Sequence, residues 1–261
     1  MAPTAMTTSD RLLNLLGLFS TAKTAWTVEE AALELGLSVS NTYRYFRSLV
    51  AAGFIVQAGA KEYVLGPAVI QLDRQMRLND PLINAARPLM QDLVSHAPTG
   101  CVAILCRAFK GQVICIHEEL IQRPQLSMSY ERGLPMPLWR GAASKAILAH
   151  FQLRKIKVLR DEHAEEFRTF GLGGTWTETK AALRDLRSLP VIHTERELGT
   201  PTSGLAAPLF DGDQIIGSLG LVVPIESADR ATVTTLSEAV AAAGGRINLE
   251  LRSGGAGASP S

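Results

Sequence analysis

The spacing of apolar residues divides the first 66 positions into three short amphipathic stretches and a hairpin. Leu12, Leu13, Leu15, Leu16 and Phe19 form the first stripe, behind a helix cap at Ser9-Asp10. Residues 1–8 read as disordered. Thr27-Val28-Glu29-Glu30 is a capping box, in which the Thr27 hydroxyl accepts the Glu30 amide and the Glu30 carboxylate reaches back. The helix it opens carries Ala31, Ala32, Leu33 and Leu35 and ends near Gly36. A third helix starts at Ser38 or Ser40 and runs to about Ala52, where Gly53 is placed to end it. Phe54-Ile55-Val56 and Glu62-Tyr63-Val64-Leu65 read as two short strands joined by a turn at Gly59-Ala60-Lys61.

Pro67 to Leu78 is a further amphipathic helix with Val69, Ile70, Leu72 and Met76 apolar. Asn79-Asp80-Pro81 breaks it and opens another, with proline at the first helical position. Pro88 predicts a kink or restart in that helix. Beyond it, strands and helices alternate. Val102–Ala108 and Gln112–His117 pair around Lys110-Gly111. Helices are predicted over Ala142–Phe151 and Glu178–Leu189, and strands over Val191–Thr194, Leu205–Phe210 and Gln214–Val223. Asp211-Gly212-Asp213 turns the last pair. A long helix over Ala231–Leu251 closes the chain, weakened by Gly244-Gly245. The remainder, from Ser253, reads as a flexible tail. The domain boundary falls within 67–81.

Composition narrows the class. The 46% hydrophobic and 20% charged fractions are those of a folded globular protein. No apolar run approaches the roughly 18 residues of a membrane span, and the polar first residues do not resemble a signal peptide. Cys101, Cys106 and Cys115 are odd in number and miss metal-ligand spacing, so they read as buried free thiols in strands, compatible with a reducing cytoplasm. The 26 Lys+Arg and 25 Asp+Glu leave a net charge of +1, which at first argues against a nucleic-acid binder.

Local charge reverses that impression. Three helices and a hairpin are the plan of a winged helix-turn-helix. Thr42, Phe46 and Leu49 give its third helix one apolar face. Ser38, Ser40, Asn41, Thr42, Tyr43, Arg44 and Arg47 are its candidates for DNA contact, with Lys61 at the wing tip. Arginine pairs with guanine, asparagine with adenine, and hydroxyls with phosphates. From Leu35 to Lys61 the three basic groups, Arg44, Arg47 and Lys61, meet no acid, although residues 1–66 as a whole balance five basic against five acidic side chains.

Glu34-Leu35-Gly36-Leu37-Ser38-Val39-Ser40-Asn41-Thr42-Tyr43-Arg44 resembles the recognition segment of the IclR family of bacterial transcription regulators, with Asn41 where Thr is usual. Leu49-Val50-Ala51-Ala52-Gly53-Phe54 and Tyr63-Val64-Leu65-Gly66 are similar to the family's wing. Leu134-Pro135 with Gly141-Ala142-Ala143-Ser144-Lys145-Ala146-Ile147-Leu148-Ala149 resembles its effector-domain helix motif. Thr194-Glu195-Arg196-Glu197-Leu198 and Gly204-Leu205-Ala206-Ala207-Pro208 resemble the next block.

The resemblance implies an α+β (mixed α/β) chain: a winged helix-turn-helix over 9–66, a linker helix over 67–80, a GAF-like effector-binding domain over 81–252 and a tail over 253–261. It implies a homodimer or a dimer of dimers, double-stranded operator DNA and a small-molecule effector as partners, no membrane and no cofactor. Trp139, Ala142, Ala143, Ser144, Thr194, Ser203, Gly204, Gly220 and Val222 are the effector-site candidates. Arg107, His117, Ser127, Tyr130, Arg140 and His193 are further polar groups that could orient a ligand. Thr194 stands where the family motif has Asp, Gly204 where it has Cys, and Gly220 and Val222 where relatives that bind small oxo-acids carry hydroxyls. These losses predict a larger, more apolar pocket, suited to an aromatic or longer organic acid.

Other classes fit less well. There is no G-x-S-x-G elbow, Ser144-Lys145 is adjacent rather than S-x-x-K, and the five histidines show no H-x3-H or H-E-x-x-H spacing. Gly171-Leu172-Gly173-Gly174 lacks the Lys-Ser/Thr of a phosphate-binding loop and reads as a turn. The readings that remain are a ligand-responsive DNA-binding regulator, a DNA-binding or partner-recruiting protein without a ligand, and a small-molecule enzyme.

Overall fold

The computed structural model describes residues 7–122 and 130–255. The chain falls into two compact units parted between Leu78 and Asn79. Ser127 and the end of the chain after Gly255 lie outside the described residues.

The first unit contains α1 (Thr8–Leu16), α2 (Val28–Glu34), α3 (Val39–Ala51), β1 (Ile55–Ala58), β2 (Glu62–Leu65) and α4 (Ala68–Asn79). The predicted capping box of α2 is present: the Thr27 hydroxyl accepts from the Glu30 amide at 3.2 Å, and the Glu30 carboxylate accepts from the Thr27 amide at 2.9 Å. A second box, Thr7 with Asp10, starts α1 ahead of the expected Ser9-Asp10 cap. Residues 7 and 8 are therefore ordered, contrary to the sequence expectation. Ser38 caps α3, and Gly53 follows its end at φ +73°. Leu15, Trp26, Val28, Ala31, Phe46, Leu49 and Ile55 form one core. Phe46 meets Tyr63 of β2 edge-on at 4.8 Å, which pins the two-stranded hairpin to α3. Leu33, expected in the apolar face of α2, is exposed instead.

The second unit is built on a six-stranded antiparallel sheet. Its strands are β3 (Val102–Phe109), β4 (Gln112–Glu119), β5 (Pro135–Pro137), β6 (Ile192–Glu195), β7 (Thr202–Asp211) and β8 (Gln214–Pro224), in the order β5-β4-β3-β8-β7-β6. Helices cover both faces. One face packs on α5 (Pro81–His96) and α10 (Arg230–Gly255). The other packs on α6 (Ala142–Ala149), α7 (Leu153–Glu162), α8 (Ala164–Thr169) and α9 (Trp176–Ser188). Cys106 and Cys115 stand opposite each other in β3 and β4, and all three cysteines are buried and unbridged.

The courses of α5 and α10 bear on three expectations. Pro88 neither ends nor restarts α5, because the helix buries Leu82, Ile83, Ala85 and Ala86 before it and Leu89, Met90, Leu93 and Val94 after it. That burial outweighs one lost backbone bond. Gly244, expected to weaken α10, lies within it: a Cβ there would stand 2.9 Å from the Ala207 Cβ, so glycine lets the helix lie against β7. Ser253 to Gly255, expected in the tail, belong to α10.

Candidate DNA interface and effector site

On α3 the helical period separates two faces. Thr42, Phe46 and Leu49 are buried, whereas Ser40, Asn41, Tyr43, Arg44, Arg47 and Ser48 are exposed. This corrects one candidate. Thr42 belongs to the core, its hydroxyl donating to the Ser38 carbonyl at 3.1 Å, and it offers nothing to DNA. The Ser38 hydroxyl is exposed, but its oxygen accepts from the Asn41 amide as the helix cap. Arg44, Arg47 and the exposed Lys61 make no ion pair among the described residues. Lys23, by contrast, is tied to Glu30 at 3.0 Å and lies over the Trp26 ring. Three cations without counter-ions on one helix face and a hairpin tip are the groups phosphate and base edges take up.

In the second unit a cavity opens between the start of α6 and β6, β7 and β8. It is lined by Ala142, Ala143, Thr194, Gly204, Gly220 and Val222, six of the nine effector candidates, together with Ile104, Tyr130, Arg196, Glu197, Leu198 and Thr202. Its free volume is about 20 Å³, space for one water molecule. Among the described residues the space is therefore smaller than the pocket predicted from lost side chains, because neighbouring groups fill it. A Cβ on Gly220 would stand 2.8 Å from Ile104 Cγ1, and one on Gly204 would stand 3.3 Å from both the Ala142 Cβ and Thr194 Oγ1.

Three candidates lie elsewhere. Trp139 stacks on His163 at 4.2 Å and packs near Phe167, within the helical layer. Ser144 is buried and hydrogen-bonded to the Tyr130 hydroxyl at 2.8 Å, one shell behind the cavity. Ser203 points to the opposite sheet face, since strand neighbours alternate and Thr202 and Gly204 face the cavity. Its hydroxyl meets His193 Nε2 at 2.8 Å, and Glu195 lies 3.5 Å from that same nitrogen. A nucleophilic relay uses both ring nitrogens, one for the hydroxyl and one for the acid, so this set is not one.

The remaining polar groups also find places. Tyr130 lines the cavity, and its buried phenol is pushed above its ordinary range chiefly by desolvation. The Arg140 guanidinium lies over the Phe170 ring, with its Nε buried and without a partner among the described residues. His117 bonds Glu119 at 2.8 Å. Arg107 makes a bidentate pair with Asp80 at 2.9 and 3.1 Å, where Asp80 also caps α5. That pair borders a wider hollow of about 900 Å³ among the turns at the other end of the sheet.

The cavity contains an interaction that sequence spacing did not announce. Gly141, at φ +83°, precedes α6 and has no side chain to cap it. Glu197 does so from 56 residues away: its Oε2 accepts from the Gly141 amide at 2.8 Å. The other oxygen, Oε1, accepts from Lys145 Nζ at 2.5 Å, and Lys145 also donates to the Phe170 carbonyl at 2.8 Å. Among the described residues, no group of three or more His, Cys, Asp and Glu is placed to hold a metal ion, and no helix is long and apolar enough to cross a membrane.

The model of the IclR helix-turn-helix domain matches residues 8–59. Among solved structures, a putative IclR transcriptional regulator from Silicibacter sp. is similar with a TM-score of 0.78, at 20% identity, over 94% of this chain and 96% of that one. An IclR family transcriptional regulator from Brucella abortus is similar with a TM-score of 0.76, at 19% identity, over 94% and 92%. An IclR homologue from Microbacterium hydrocarbonoxydans, in complex with 4-hydroxybenzoate, has a TM-score of 0.70 at 19% identity, over 95% and 100%. No curated protein sequence matches the chain significantly.

Proposed function

We propose that this chain, which joins an IclR helix-turn-helix domain to the fold of the IclR-family transcriptional regulators, binds operator DNA under the control of a small organic acid held in its second unit. The single observation that carries the ligand is the cavity at the start of α6, with the amides of Ala142 and Ala143, the Thr194 hydroxyl and the cations Arg196 and Lys145 beside it. Helix N-termini and buried cations favour carboxylates. The 4-hydroxybenzoate of the Microbacterium homologue is an acid of the aromatic class proposed here.

Arg44, Arg47, Asn41, Ser40 and Tyr43 are assigned to the major groove and Lys61 to phosphate or the minor groove. One short recognition helix reads few bases, so a homodimer, alone or paired into a dimer of dimers, supplies the second half-site. Val69, Ile70, Leu72 and Met76 of α4 are all exposed and suit that contact. A ligand that binds one arrangement of the assembly better than another shifts its population, and with it the operator affinity.

Thermal shift with a panel of organic acids tests the ligand, because a molecule that binds only the native state raises the melting temperature. An acid should stabilise the wild type, and Thr194→Val, which removes the cavity hydroxyl, should reduce that shift. An acid that stabilises both proteins equally binds somewhere else.

A further inference from the structure

We propose that Glu197 is the resident occupant of a carboxylate receptor, and that an acidic effector binds by displacing it. The inference rests on the effector reading above and adds to it what the effector must compete with. The receptor consists of the Gly141 amide and the Lys145 ammonium, both bonded to one carboxylate at 2.8 and 2.5 Å. Lys145 is only 8% exposed at its side chain and is fixed by the Phe170 carbonyl, so its charge requires an anion in place. The group the receptor holds shows what it accepts.

The cavity beside it has room for one water, so a carboxylic acid of any size needs a lining element to yield. Most of the lining belongs to α6, β3, β7 and β8, whose backbones are tied into helix and sheet. Among the described residues, Tyr130 and the turn from Arg196 to Pro201 between β6 and β7 lie outside these elements, and the turn carries Glu197. Arg196 holds φ +55°, a left-handed conformation unfavourable for a residue with a side chain. Its amide bonds the Thr202 carbonyl at 2.9 Å, its carbonyl accepts from the Gly199 amide at 3.3 Å, the Ile225 amide bonds the Pro201 carbonyl at 3.0 Å, and the two bonds of the adjacent Glu197 fasten the turn to the start of α6. Glu197 is already 20% exposed, so it swings into water while the effector's carboxylate takes over Lys145. The buried charge stays neutralised throughout, and the exchange opens space at the turn rather than in the sheet.

Calorimetry on the full chain tests this with benzoate, 4-hydroxybenzoate and phenylacetate, each beside its amide, against wild type and Glu197→Gln. Removing the competing charge should strengthen the binding of at least one acid by about tenfold, the scale of one hydrogen bond to a charged group, and leave the amides unchanged. Acids that bind both proteins alike, or acids and amides that gain equally, overturn the proposal. A second measurement needs no variant. Saturating 4-hydroxybenzoate should speed amide exchange in residues 196–201 of the wild type, and unchanged or slower exchange there also overturns it. The two readings fail separately. An acid that gains affinity in Glu197→Gln yet leaves operator binding unaltered removes the regulatory role and keeps the exchange. An uncharged ligand that controls operator binding does the reverse.

Discussion

At the scale of single residues, exposure and partnership decide which side chains are available to act. Arg44 and Arg47 stand exposed and without an ion pair, while Thr42, two positions from Arg44, is wholly committed to the core. Arg44→Ala should therefore cost specific operator binding about 1–3 kcal/mol while non-specific binding falls less, read by competition with unrelated duplex. Equal losses make Arg44 a phosphate contact. Lys61→Ala should weaken binding to all sequences and lower the salt slope by about one, and an unchanged slope removes Lys61 from the interface. Glu30 behaves differently, because its partners are within the fold. The Thr27 amide, then Lys23 and the Thr27 hydroxyl, hold its carboxyl down at about 2. A folded pKa below the unfolded value contributes stability that is complete above about 4.5 and is lost as the pH falls towards 2. Thermal melts should accordingly show Glu30→Gln less stable than wild type at neutral pH, with the gap narrowing between about pH 5 and pH 3.

Elements were legible in the sequence where local chemistry and burial agree. The α2 capping box, the buried Thr42-Phe46-Leu49 face of α3 and the hairpin turns at Lys110-Gly111 and Asp211-Gly212 each follow from a few adjacent residues. The core of the first unit should then depend on that face: Phe46→Ala should cost about 3–5 kcal/mol in denaturant unfolding. Gly66→Ala should also destabilise this unit, since its Cβ would stand 2.3 Å from the Gly53 carbonyl oxygen. Elements that bury little left weaker marks. In α7 only Ile156 is buried, in α8 only Phe167, and β5 spans three residues, so their patterns carry almost no period. The effector site was half legible for a similar reason. Its helix and strands could be placed, but Ser203 follows from strand alternation only once the register is known. The Lys145–Glu197 pair joins residues 52 apart that no local pattern connects.

At the scale of the molecule, near-neutral charge and a two-unit division have one consequence. Residues 1–66 balance five acids against five bases, and α3 and the wing tip present three exposed cations that make no ion pair among the described residues. On the proposed function, few phosphate contacts per copy should make a single copy a weak binder, so operator affinity should depend on how two copies are held together. On the same proposal, a ligand in the second unit would gain control by changing that arrangement, without touching the side chains assigned to DNA. The most direct test is operator affinity of the full chain at fixed salt, measured with and without a saturating acid that binds the α6 cavity. The predicted result is a change of at least about fivefold, the lower end of an allosteric coupling, that disappears when the same acid no longer binds Thr194→Val. Operator affinity that stays the same with the cavity filled would contradict the account.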